Sequence, residues 1–376
     1  MTRFGVGFFT AFVLALVGVA GLNLFVDENG VYRADDANEV AYITSYVTRL
    51  RASSNGLVFI PQERRFKVEL ARQSDADCYV TGSSHVLQID HVTAPQMFPG
   101  CRQVVNLGVS GAGFEDIVAQ AGVLAGRRFA GQLMIGLGPW MLRRKADVRW
   151  TEERVAYDMG RRVLNLPRSA AEPVTVETRW LGLINGDYAA HNARALARRI
   201  RNWAGRANAA RVPVAAARAV VDVSAASDTD QVVLPNGRLI YARGLPGQGS
   251  AASGSARDGQ YKIEAQAIDP AVLQELETAV RTLQGHGIKV ALLLTPYNPT
   301  VMACRGRYVC ETMAQVETAI RALAASRAVP VLGSYDPRPM GITSDGFIDD
   351  MHLESGSLPD IRVIGQNPWV NSPAVR

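Results

Sequence analysis

The sequence predicts an α/β domain built on a parallel sheet, and three observations predict it. Short apolar runs alternate with stretches of helical periodicity, the rhythm of β-α-β units. One run, IKVALLLTP (288–296), is almost wholly apolar, as expected of a strand covered on both faces. Hydrophobic residues make up 48% of the 376, enough for a substantial core, and no long segment has the composition of a disordered chain.

ADCYVTG (76–82) reads as the first strand and residues 85–97 as the helix after it. QVVNLGV (103–109) is the second strand. FEDIVAQAGVLAG (114–126) follows as a helix, with Ile117, Ala121 and Leu124 on one face. QLMIGLG (132–138) is the third strand. The rhythm stops at Trp140 and resumes at Asp269-Pro270, an N-cap and first-turn pair. Leu273, Leu276, Val280 and Leu283 mark the face of that helix, which Gly285 and Gly287 end. Strand four is 288–296, and VPVLG (329–333) is strand five. Between them a helix over 311–326 aligns Met313, Val316, Ile320 and Leu323.

The intervening block, about 141–265, reads as an insertion into this domain. Arg194, Arg198 and Arg201 share a face in its helical first part. That pattern suits a solvated helix face, or a contact to a glycan or a lipid headgroup. Pro-Asn-Gly within QVVLPNGRLIYAR (231–243) marks a hairpin, and GLPGQGSAASGSARDG (244–259) reads as a flexible loop. Residues 27–75 read as a polar, partly helical stalk.

FGVGFFTAFVLALVGVAGLNLFV (4–26) carries no charge over 23 residues. As a helix it would reach roughly 35 Å, enough to cross a bilayer. Arg3 precedes it, which predicts a single-pass anchor in the cytoplasmic membrane with the body in the periplasm or outside. A cleaved signal peptide, with Gly18-Val19-Ala20 as its small-x-small site, is the competing reading. Both export the body. Outside a reducing cytosol the four cysteines favour bridges over free buried thiols. Cys304 and Cys310 flank a short loop that could close locally. Cys78 and Cys101 each precede a strand, and neighbouring parallel strands would bring them together. The net charge of +5 is spread widely. It permits anionic partners without singling one out; the partners expected are the membrane, through the N-terminal helix, and no nucleic acid.

Ligands of open parallel sheets bind beyond the carboxyl ends of the strands. Those ends offer Gly82-Ser83-Ser84-His85, then Asn106, Gly108, Ser110 and Gly111, then GLGPW (136–140) and TPYNP (295–299). Beyond strand five, Asp349 precedes His352 by three residues. Nucleophilic catalysis needs a hydroxyl, a base, a group to orient the base, and donors for an oxyanion. Ser84, His352 and Asp349 supply the first three. The backbone N–H groups of Ser84 and Gly111 supply donors. Ser84 as a plain N-cap, Ser83 as the nucleophile, His85 as the base and a solvated Asp350 in place of Asp349 are the alternatives. No ligand-rich cluster surrounds Asp349, His352 and Glu354, so neither a metal nor an organic cofactor is expected.

The G-x-S after strand one, N-x-G-x-S-G after strand two and D-x-x-H near the C-terminus resemble the SGNH, or GDSL-like, hydrolase superfamily. The resemblance covers roughly 76–138 and 288–366. It implies a flavodoxin-like three-layer fold and makes Ser84 the nucleophile, His352 the base, Asp349 its orienter and Gly111 an oxyanion donor. The family's third block ordinarily ends in asparagine, where this chain has Gly136-Leu137-Gly138-Pro139. Trp140 and Asn298 are the nearest candidates to replace it in contacting substrate. With the N-terminal anchor, the chain is most similar to envelope members that handle acyl groups on polysaccharides, such as the alginate acetylation proteins and the D-alanine transfer protein of teichoic acid. That likeness implies an esterase or O-acyltransferase, an acylated polysaccharide or acyl donor as partner, and a place in an envelope biosynthesis complex. The alternative is a non-catalytic module of the same fold in such a complex.

Overall fold

The structure is a computed structural model. It describes residues 3–26, 37–52, 62–143, 154–167, 232–240, 268–302 and 308–361, with scattered positions between 183 and 200. Five strands form one parallel sheet: β1 (Cys78–Thr81), β2 (Val104–Asn106), β3 (Gln132–Gly136), β6 (Lys289–Leu294) and β7 (Val331–Gly333), in the order β2-β1-β3-β6-β7. A separate hairpin, β4 (Val232–Val233) with β5 (Leu239–Ile240), lies where Pro-Asn-Gly predicts one.

Side chains alternate between two cores across the sheet. Tyr79, Leu133, Ile135, Leu292 and Leu294 point to one face. Cys78, Val80, Met134, Ala291 and Leu293 point to the other. The first face is covered by α4 (Phe114–Gly126), α5 (Arg154–Val163), α6 (Pro270–Gly285) and α7 (Tyr308–Ser326). Handedness explains this. The connections from β2 to β3, β3 to β6 and β6 to β7 all run in one direction along the sheet, so right-handed crossovers put their helices on one side. Only β1 to β2 runs the other way, and its crossover, residues 82–103, covers the second face together with residues 338–361.

That crossover corrects the helix expected over 85–97. It holds only two short 3₁₀ turns, Ser84–Val86 and Pro95–Met97. Side chains take the backbone bonds a helix would use. The Asp90 carboxylate accepts from the N–H groups of Val92 (2.9 Å) and Thr93 (3.0 Å). The Asn106 amide donates to the carbonyls of Val86 (2.6 Å) and Ile89 (2.8 Å). Local hydrogen bonding of this kind outcompetes helix despite suitable apolar spacing.

The stalk reading is also corrected for its described part. α2 (Ala37–Ala52) buries Ile43, Tyr46, Val47 and Leu50, and α3 (Glu63–Gln73) buries Phe66, Val68, Leu70 and Ala71, all in the first core. Lys67 of α3, fully buried, donates from Nζ to the carbonyls of Asn106 (3.0 Å) and Gly237 (2.6 Å), tying the hairpin to the end of β2. Burial lowers its pKa to about 8, with Glu63 acting against the shift.

α1 (Arg3–Val26) is continuous, and its Gly7–Val26 portion is long and apolar enough to cross a membrane. Cys78 and Cys101 form a disulfide with Cα atoms 6.0 Å apart. Cys304, the 244–259 loop and Arg194, Arg198 and Arg201 lie outside the described residues.

Candidate active site

Ser84 sits just past β1, at the point where strand order reverses between β1 and β3. The chain reaches it through Gly82, whose φ of +149° and lack of a side chain are both required. A Cβ there would lie 2.8 Å from the Gly136 carbonyl oxygen. Ser83 is buried and caps the following turn, its Oγ accepting from His85 N–H at 3.4 Å. Ser84 is partly exposed, and its Oγ lies 2.8 Å from His352 Nε2. Ser83 is therefore the cap, and Ser84 presents the hydroxyl.

His352 lies in a tight loop pinned by the Ile348 N–H donating to its carbonyl at 2.8 Å. Its Nδ1 is 2.7 Å from Asp349 Oδ2. The other carboxylate oxygen accepts from the backbone N–H groups of Met351 and His352, each at 2.8 Å. Burial would raise the Asp349 pKa, but the His352 contact and the two N–H groups outweigh it and hold the carboxyl below its ordinary value. An ionised Asp349 accepts Nδ1–H, which leaves Nε2 free to accept from Ser84. Asp350 is partly exposed, with its Oδ1 buried and without a hydrogen-bond partner among the described residues.

Asn298 is fully buried and has a different task from the substrate contact expected. Its backbone N–H donates to the Asp350 carbonyl at 3.0 Å and its side-chain amide to the Asp349 carbonyl at 3.4 Å. Its Oδ1 accepts from Thr300 N–H (3.0 Å) and Ser344 Oγ–H (3.1 Å). It braces the loop that carries the carboxylate. Trp140 is half-buried beside the site, with Nε1–H donating to the Ala112 carbonyl at 2.9 Å. The indole N–H is therefore already committed, while the second amide N–H of Asn298 is enclosed with its side chain in the interior.

Gly111 is exposed with φ +62° in the loop after β2. That loop is braced on three sides. Asn106 Oδ1 accepts from Gly108 N–H at 2.8 Å, Glu63 accepts from Ser110 N–H at 2.9 Å, and Trp140 holds Ala112. Among the described residues the Ser84 N–H has no acceptor.

His85 packs under the pair. Its ring centroid is 5.3 Å from that of His352, 5.4 Å from Trp140 and 5.2 Å from Tyr297. Its Nδ1 meets Thr295 Oγ1 at 2.9 Å, and Nε2 is buried without a partner among the described residues. Burial, then the neighbouring His352, lower its pKa to about 3 against the opposing pull of Asp349. It is a neutral packing partner of His352 and makes no bond to Ser84.

Glu63, Thr295 and Tyr297 went unassigned in the sequence. The helix spacing of Ile43, Tyr46, Val47 and Leu50 is a signal that α2 docks, but nothing local in the sequence marks Glu63 of α3. Among the described residues no three His, Cys, Asp or Glu side chains converge as metal ligands. No protein-family model matches the chain, and no curated protein matches its sequence.

Proposed function

We propose that this chain is an exported, membrane-anchored serine esterase or O-acyltransferase working on acyl groups of a cell-envelope or secreted polysaccharide. The observation that carries this reading is the line Ser84 Oγ, His352 Nε2, His352 Nδ1, Asp349 Oδ2, with contacts of 2.8 and 2.7 Å. A relay of this geometry suits acyl transfer through a covalent intermediate. As Ser84 Oγ adds to the ester carbonyl, its proton passes to His352 Nε2, and Asp349 stabilises the imidazolium. The N–H groups of Ser84 and Gly111 hold the developing oxyanion. Collapse expels the alcohol, which takes the proton from His352 and leaves an acyl ester on Ser84. Water or a sugar hydroxyl, giving its proton to His352, then releases the acyl group and restores Ser84. No cofactor enters these steps.

The strand order, equivalent to 2-1-3-4-5 among the sheet strands, supports a flavodoxin-like arrangement. The region 141–265 is read as its insertion. The apolar N-terminal helix, Arg3 before it and the Cys78–Cys101 disulfide support placement of the body outside the cytoplasm. A second reading, a non-catalytic module of an envelope polysaccharide complex, draws on one observation. No block-three asparagine is present, Trp140 already uses its indole N–H elsewhere, and Asn298 is fully buried.

Hydrolysis of a small activated acetyl ester by the full chain in detergent separates the two. Under the catalytic reading the wild type turns over, while Ser84→Ala and His352→Ala fall by about 10³-fold or more, to background. Turnover unaffected by either substitution contradicts it.

A further inference from the structure

The end of β3 carries an aromatic ring in a fitted seat. Gly138 has φ −85°, which any residue adopts, so its missing side chain is not a matter of torsion. It is a matter of space. A Cβ there would lie 2.6, 2.7 and 2.8 Å from Cη2, Cζ2 and Cζ3 of Trp140. Three consecutive ring atoms at nearly one distance put Gly138 under the face of the indole, not at its edge. Two further contacts hold the ring. Its Nε1–H donates to the Ala112 carbonyl at 2.9 Å, and the His85 ring meets it at 64° with centroids 5.4 Å apart.

The sheet order shows where the ring runs. β1 lies between β2 and β3. Trp140 follows β3 and Ala112 follows β2, so the bond between them crosses the carboxyl end of β1, where Ser84 leaves the strand. The indole is a bar across that end. It is only half-buried, so part of it borders open space beside the site.

The chemistry at Ser84 assigns directions around a reacting carbon. Attack by Oγ gives a tetrahedral centre with three other substituents. The oxyanion turns to the N–H groups of Ser84 and Gly111. The leaving oxygen lies within reach of His352 Nε2, which protonates it. The acyl substituent takes the direction that remains. Ala112, to which the indole is bonded, adjoins Gly111, and His85, on which it leans, adjoins Ser84. The ring therefore stands on the side of the oxyanion donors, where it meets the acyl group and not the departing sugar.

We propose that the Trp140 indole closes the acyl subsite and sets the length of the group transferred. Acetyl and propionyl groups fit in front of it, and longer chains run into a ring that its three contacts keep from yielding. This inference rests on the catalytic reading of Ser84 and adds to it what bounds the acyl group.

The test compares kcat/KM for p-nitrophenyl acetate and p-nitrophenyl hexanoate, with the full chain in detergent, in wild type, Trp140→Leu and Trp140→Ala. The wild type should favour acetate by about 10²-fold or more. The preference should shrink stepwise with the side chain, to within about tenfold in Trp140→Ala, through an absolute gain on hexanoate. A gain on the longer ester is a change that a merely loosened site does not produce. Wild-type turnover of hexanoate at the acetate rate overturns the proposal and leaves the catalytic reading standing. So does an equal loss on both esters in the two variants, which would make the indole a strut for the Gly111 loop. Absence of turnover of either ester by the wild type contradicts the catalytic reading itself and removes this inference with it.

Discussion

Ser83 and Ser84 are neighbours of identical chemistry with different tasks, and burial separates them. Ser83 is enclosed and caps a turn; Ser84 is half-open and meets a histidine. The spacings G-x-S and D-x-x-H are local patterns, so sequence could put Ser84, His352 and Asp349 forward together, and the structure brings their side chains into contact. The task of Asn298 was not legible, because it depends on a loop 51 residues away. Asn298→Ala removes the side-chain bonds to Asp349, Thr300 and Ser344 and frees the carboxylate loop to shift. Misplacement on that scale costs about 10²-fold in rate. We expect kcat to fall by about 10- to 100-fold with KM nearly unchanged, measured on the activated acetyl ester. A pure KM effect would instead restore Asn298 to the substrate pocket.

His85 makes a prediction about pH. Its folded pKa of about 3 lies below the ordinary 6.5, so the unfolded chain binds a proton that the folded chain refuses between those values. Stability therefore falls as pH drops through this window, by up to about 1.4 kcal/mol per unit. His352 adds to the depression, and Asp349 opposes it. Urea unfolding in detergent at about pH 7.5 and pH 5 should show the wild type losing about 2 kcal/mol more than His85→Gln. Parallel losses in the two proteins would show that His85 is not held neutral.

At the scale of elements, the strands and three of the four crossover helices were legible, because apolar periodicity reports burial directly. The crossover 85–97 misled, since Val86, Leu87 and Ile89 look helical while Asp90 and Asn106 take the backbone bonds. The region 27–75 reads as partly helical, but the docking of α3 is hidden by its polar composition; Arg64 and Lys67 are buried because each finds partners, Asp116 for one and two carbonyls for the other. α5 depends on a close approach no periodicity reveals. A Cβ on Gly122 of α4 would lie 2.2 Å from Gly160 Cα of α5. Gly122→Val must push the helices apart, at a cost of about 2–4 kcal/mol. A midpoint shift in thermal unfolding reads this directly, and an unchanged midpoint would mean that α5 does not pack on α4.

At the scale of the whole molecule, the candidate site exists only through the complete fold. Ser84 and His352 stand 268 residues apart in sequence. One comes from the first crossover and the other from the segment after β7. Both belong to the face covered by 3₁₀ turns and loops, not to the helical face. The helical face acts at a distance: α3 carries Glu63, which holds the loop bearing Gly111 in place. The sheet gives this assembly its rigidity, and the 2.8 Å contact is its product.

The most direct test is covalent. The full chain in detergent is treated with a fluorophosphonate, which reacts with an activated serine hydroxyl without needing the natural acyl group or acceptor. The account predicts a single adduct, mapped by peptide mass to Ser84, absent in Ser84→Ala, at least about 10²-fold slower in His352→Ala, and lost in denaturant. An adduct on another residue, or no adduct on a folded wild-type chain, would contradict it.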